Sequence, residues 1–202
     1  MFKLTLFLGL AMLVASMNVR NDIQNTRVKV DLKNANVVVY EMNYMNTVYT
    51  YEVGIKRDDS VGVILDWKLK NPGEKVGKIT ITNNAFQNAT QLQTNFLSGD
   101  KVYDKAVTVL LSNRLFSDFS TKNAASIFTG AGEATPVKFI KGDNSYTLCK
   151  VNGVSEKLFT CNATGFKNGK EVKISYWDNA EFPVILNSEQ GYSLKLVEIR
   201  TE

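Results

Sequence analysis

This sequence of 202 residues predicts a mainly β protein of antiparallel strands with two short helices packed on one face. Three observations carry that expectation. Apolar and polar residues alternate with period two in segment after segment from Arg27 to Ile199. Turn signals punctuate those segments at short intervals, Asn71-Pro72-Gly73 being the strongest. Helical spacing occurs only near the middle of the chain, with no strand–helix–strand rhythm, no Rossmann glycine pattern and no phosphate-binding loop.

The first element is an address. Residues 1–16 (MFKLTLFLGLAMLVAS) place Lys3 before an apolar stretch, and Val14 and Ser16 are small enough for a cleavage site. This is the pattern of a secretory signal peptide. A spanning helix needs about 20 apolar residues, and the run from Leu4 to Ala15, interrupted by Thr5 and Gly9, is only 12 residues long. The expected product is an exported chain, periplasmic or secreted, that begins near Met17 and does not span a membrane. Residues 17–202 are expected to form one β-rich domain with a seam near residues 130–135.

Strands follow in order. Arg27–Leu32 alternates, and Ala35–Tyr40 is rich in β-branched residues. Thr47–Ile55 sets Thr47, Tyr49, Tyr51 and Val53 on one face against Val48, Thr50, Glu52 and Gly54. Arg57–Ser60 turns the chain into Val61–Leu69, and Asn71-Pro72-Gly73 turns it into Val76–Thr82. Asn83-Asn84 can cap a helix over Ala85–Phe96, where Ala85, Ala89, Leu92 and Phe96 have helical spacing. Ala106–Leu111 returns to strand. Ser112 reads as the N-cap of a second helix with Leu115, Phe116 and Phe119 on one face.

The remaining strands are Ala124–Thr129, Pro136–Lys141, Ser145–Val151, Lys157–Thr164, Glu171–Trp177, Pro183–Leu186 and Tyr192–Ile199. The last two should pair, turning at Asn187–Gly191. Leu194 and Leu196 face one way and Val197 and Ile199 the other, as in a strand sandwiched between two layers. Leu194 and Leu196 are expected to be buried.

Cys149 and Cys161 lie in consecutive strands, and two hairpin registers are open. A two-residue turn at Asn152-Gly153 pairs Cys149 with Glu156 and separates the cysteines. A five-residue loop over Gly153–Lys157 pairs Cys149 with Cys161 and gathers an apolar set on one face. The second register allows a structural disulfide, which an exported chain permits.

Composition removes several function classes. The chain has no histidine, so no histidine general base, Ser-His-Asp triad or histidine metal site exists in it. Two cysteines cannot complete a structural zinc site. No cofactor and no metal are implied. The net charge is only +4 and the charges are interspersed, unlike a nucleic-acid footprint. Asp66-Trp67 and Trp177-Asp178 are the most conspicuous candidates for carboxylate chemistry, but nothing in the sequence brings these aspartates together. The plainer expectation is Trp in the core and Asp outside it.

Tyr49, Tyr51, Trp67, Phe86, Trp177 and Tyr192 are the candidate ligand-binding residues. Tyr and Trp combine large apolar area with a polar tip, which suits the wall of a pocket. The same residues also suit an ordinary sheet core.

The stretch Tyr176–Ile199 (YWDNAEFPVILNSEQGYSLKLVEI) resembles uncharacterised exported β-rich bacterial proteins. These look distantly like the periplasmic lipoprotein-carrier and lipid-binding half-barrels. The segments VILDWKL, KITIT and TVLLS with its following helix fit the same layout. The resemblance implies a curved antiparallel sheet, a half-barrel or sandwich, wrapped around helices, with room for an apolar or lipid-like ligand. It carries no catalytic motif. The leading expectation is therefore an exported, non-enzymatic cell-envelope protein with an apolar small molecule or lipid as its partner. An interaction module binding an envelope protein or glycan through exposed surface is the alternative, and a carboxylate-only hydrolase a minor one.

Overall fold

The computed structural model describes residues 30, 32, 36–71, 73–93, 99–130 and 132–201. The signal peptide expected over residues 1–16, the start near Met17 and all of the strand expected over 27–32 except Val30 and Leu32 lie outside them.

The N-terminal half is an antiparallel meander of β1 (Asn36–Tyr44), β2 (Thr47–Asp58), β3 (Gly62–Lys70) and β4 (Glu74–Thr82). Its alternation is the one the sequence carries. Val38 and Tyr40 on β1, Tyr51, Val53 and Ile55 on β2, Val63, Leu65 and Trp67 on β3, and Ile79 and Ile81 on β4 are buried. Two residues join β1 to β2, Met45 and Asn46, both at positive φ (49° and 60°), as a tight hairpin matching strand twist requires.

α1 (Asn83–Asn88) is shorter than the expected Ala85–Phe96 helix, and residues 94–98 lie outside the described residues. Thr82 caps it, accepting from the Ala85 N–H at 3.2 Å. After Asn88 the backbone turns extended because other strands claim it. Phe128 N–H donates to the Thr90 carbonyl (3.0 Å), and Leu92 N–H to the Phe128 carbonyl (2.8 Å). Asn and Thr are weak helix formers, so these long-range bonds prevail. β5 (Gln91–Leu92) thereby pairs in parallel with β7 (Ala106–Val107), and β6 (Lys101–Tyr103) runs parallel to β4.

The strand expected over Ala106–Leu111 is broken at Val109, whose φ of 52° is costly for a β-branched residue. Leu110 N–H closes back on the Thr108 carbonyl at 2.6 Å. The kink lets Ile185 N–H reach the Val109 carbonyl (2.8 Å) and Leu111 N–H the Pro183 carbonyl (2.9 Å). α2 (Asn113–Lys122) follows, capped as expected by Ser112, whose hydroxyl oxygen accepts from the Leu115 N–H at 3.1 Å. Leu115 and Phe119 are buried, and Phe119 stacks on Tyr176 with ring centroids 5.2 Å apart.

The C-terminal half contains β8 (Ala124–Ile127), β9 (Val137–Lys141), β10 (Ser145–Val151), β11 (Val154–Lys167), β12 (Lys170–Trp177), β13 (Ile185–Glu189) and β14 (Ser193–Thr201). The stretch expected as a seam connects β8 to β9, which pair with each other. One apolar cluster includes residues from both sides of it.

The strands run in the order β6-β4-β3-β2-β1-β14-β13-β12-β11-β9-β8, and β10 pairs with both β11 and β14. β10 through β14 therefore form a ring. Each neighbour is antiparallel except β14 with β10, which is parallel. An odd number of strands in an up-and-down path leaves the first and last pointing the same way, so closure has to be parallel. The expected half-barrel or sandwich is thus replaced by a closed five-stranded barrel, its β14 continued edge-on by the β1–β4 meander.

Two further expectations are corrected. Cys149 pairs with Glu156 and Val151 with Val154, so the Asn152-Gly153 turn sets the register. Both turn residues have positive φ (49° and 82°), which Asn and Gly tolerate best. The alternative cysteine-pairing register is not adopted, and both thiols are free and buried. In β14, Leu194 and Leu196 are buried as expected, but so is Ile199. The register with β1 passes from Glu198 opposite Val39 to Leu196 opposite Tyr40, so Val197 is an extra residue in a β-bulge. The bulge, not a second layer, explains the broken alternation.

Candidate functional site

The six candidate aromatics do not form one wall. Tyr51 and Trp67 meet in the core, their rings 6.1 Å apart, and Tyr40 joins the row at 6.1 Å from Tyr51. Tyr40 donates its hydroxyl to the Ile185 carbonyl at 2.8 Å. Burial pushes the Tyr40 phenol well above its usual range, helped by Cys149 and Tyr192 nearby. Burial does the same for Tyr51, with Tyr40, Tyr192 and Tyr103 adding to it. These phenols stay neutral, so the cluster is an uncharged polar seam in an apolar core.

Tyr192 is half-buried and lines a void of about 10 Å³ together with Val109, Ile185 and Leu194. Ligand pockets run to about 300–1,000 Å³. The other candidates sit elsewhere. Phe86 lies on α1 under the Arg57 guanidinium, 5.2 Å from its ring centroid. Trp177 packs edge-to-face on Phe182 at 6.2 Å. Tyr49 is partly buried against the rim of the core.

Asp66 and Asp178 are both exposed beside their buried tryptophans. β3 and β12 are separated in the strand order by β2, β1, β14 and β13. Among the described residues, no three Cys, Asp or Glu side chains gather as a metal site would need. Burial pushes the Cys149 thiol up to about 12 and raises Cys161 as well, so neither is a reactive thiolate.

A much wider concavity than the void beside Tyr192 lies between the second helix and the strand that follows it. An open groove of about 520 Å³ runs between α2 and β8. Arg114, Asp118 and Lys122, four residues apart, line it from one face of α2. Lys122 is held by Asp118 at 2.6 Å, whereas Arg114 makes no ion pair among the described residues. Nor does Lys138, which enters the groove from β9 as the cross-strand partner of Ser126.

The strand side of the groove is an edge. Ala124, Ala125 and Ser126 line it in succession, although neighbouring side chains point to opposite faces of a strand. Only the margin of the strand presents all three together. β8 is also terminal in the strand order. Lys141 N–H donates to the Asn123 carbonyl at 2.9 Å, so the antiparallel alternation turns Ala125 and Ile127 toward β9. Ala124, Ser126 and Phe128 turn their N–H and C=O groups outward. Phe128 uses its pair on Thr90 and Leu92, and the groove opens where that pairing ends.

Both walls of this groove are legible in the sequence, as a capped helix and a following strand, but the apolar face of the helix does not point to it. The signal was the Arg114, Asp118, Lys122 spacing on the other face. No family model, no curated protein and no solved structure matches the chain.

Proposed function

We propose that this chain is an exported, non-enzymatic interaction module of the cell envelope that holds a partner in the groove between α2 and β8. The observation that carries this reading is the groove itself: about 520 Å³, open, with cations from two elements around a strand edge. A site of this size and polarity suits a segment of another macromolecule better than an enclosed lipid. The absence of histidine from the sequence and the neutral state of both thiols favour binding over catalysis.

The apolar-ligand reading has a weaker footing, because Tyr40, Tyr51 and Trp67 pack on one another and the void beside Tyr192 is about 10 Å³. Two measurements separate the readings. Amide chemical shifts followed during titration with peptide pools and with glycans should move at residues 114–126. Native mass spectrometry of protein purified from its own envelope should give the apo mass. A co-purifying lipid, with shifts confined to the tyrosine cluster, would overturn the proposal in favour of an internal ligand.

A further inference from the structure

We infer that the occupant of the groove is an extended peptide segment rich in Asp and Glu, added as a strand to the open edge of β8. This rests on the groove being the binding site and names what it takes. The backbone supplies the first argument. Ala124 and Ser126 present their N–H and C=O groups away from β9, on the margin where Phe128 already pairs with Thr90 and Leu92. The fold thus uses one end of this edge for strand pairing and leaves the other end facing the groove. An incoming strand would lie end to end with β5 and form main-chain bonds at Ala124 and Ser126.

Charge supplies the second argument. A strand seated there turns its side chains alternately to the two faces of the sheet. On the face it shares with Ser126 it meets Lys138. On the opposite face, where Ala125 pairs with buried Phe139 and α2 packs, it meets Arg114. Neither cation is neutralised by a carboxylate among the described residues, whereas Lys122 is held by Asp118. Both faces of the visiting strand therefore favour Asp or Glu. The same cations disfavour a second copy of this chain, since two β8 edges brought together would oppose like charges.

The test uses the full chain and fluorescein-labelled octapeptides: one of alternating Glu and Val, one with Lys replacing Glu, and the Glu peptide N-methylated at every second amide. Anisotropy should show the Glu peptide binding at least tenfold more tightly than the Lys peptide, with the difference shrinking as salt rises. N-methylation should abolish binding. Ser126→Pro should do the same while leaving the circular dichroism spectrum and Tm in place, because that N–H points away from β9. Lys138→Glu and Arg114→Glu should each weaken the Glu peptide and improve the Lys peptide.

Binding that survives both Ser126→Pro and N-methylation would overturn strand addition while leaving the groove as a binding site. Equal affinity for the two charge patterns would overturn the acidic preference. If no peptide binds and the glycan titration alone moves residues 114–126, the inference fails and the groove reading stands. If nothing moves those residues, both fail.

Discussion

Gly77 sits directly across from Trp67 on the neighbouring strand, and a Cβ at residue 77 would lie 2.7 Å from the indole. It would also lie 2.7 Å from the Gly99 carbonyl oxygen. The missing side chain is what admits a buried tryptophan next to Tyr51 in the aromatic row. Gly77→Ala should therefore destabilise by about 1–3 kcal/mol, as overpacking of a filled core does. Urea denaturation measures it. A loss below about 0.5 kcal/mol would mean that the indole has room to move and that the row is looser than its ring distances imply.

The two thiols should be inert in the folded state. Burial holds both in the neutral form, and the hairpin register keeps Cys149 opposite Glu156 rather than Cys161. Ellman's reagent at pH 8 should release nothing from native protein and should titrate both thiols in guanidinium. An intact mass short by two hydrogens after aerobic purification would show a disulfide and refute the register.

That hairpin marks where the sequence was legible and where it was not. The strands of the meander, the Ser112 cap and the burial of Leu194 and Leu196 follow from local pattern, since each is decided within a few residues. The Cys149 register set turn chemistry against apolar grouping, and two positive-φ residues outweighed a tidier face. The end of α1 and the kink at Val109 depend on partners far along the chain, Phe128 for one and Pro183 and Ile185 for the other. Barrel closure rests on two residue pairs between β10 and β14, too few to leave a periodic trace. The groove was hidden for the same reason: its strand side is backbone, which side-chain pattern does not report.

Acid should weaken the fold partly through Glu52. This carboxylate accepts from Lys70 at 2.9 Å and lies 3.5 Å from Arg200, joining β2 to β3 and β14 across the outer face. The Lys70 hydrogen bond, with further help from both cations, holds its pKa below the usual Glu value. A carboxyl depressed in the folded state contributes stability above its unfolded pKa of about 4.3, lost as pH falls through the lower folded value. The pair is only partly buried and solvent still screens it, so its contribution is modest, about 0.2–1 kcal/mol. Glu52→Gln should lower the urea midpoint slightly at pH 7 and flatten its decline between about pH 5 and pH 3. Identical slopes for variant and wild type would assign the acid sensitivity to other carboxylates, Glu133 with Lys167 first among them.

The bulge at Val197 makes a sharper prediction than any single core deletion. A regular strand would put Leu196 and Ile199 on opposite faces and Val197 with Ile199. In the bulged register Leu196 faces the core opposite Tyr40, Ile199 does so opposite Val38, and Val197 is the unpaired extra residue between them. The bulge falls where β14 exchanges one partner for another on its second edge. Ser193–Lys195 pair with β13, and Glu198–Ile199 pair with β10. The added local twist of a bulge suits a strand that must leave one neighbour and meet the next to close a barrel. Leu196→Ala and Ile199→Ala should then cost comparable amounts, about 2–5 kcal/mol each. Val197→Ala, at a half-buried position, should cost less than about 1 kcal/mol. Chemical denaturation of the three variants decides. A Val197 variant as damaging as the Ile199 variant, with Leu196 as the outlier, would restore the regular strand sandwiched between two layers and remove the bulge from the account of how the barrel closes.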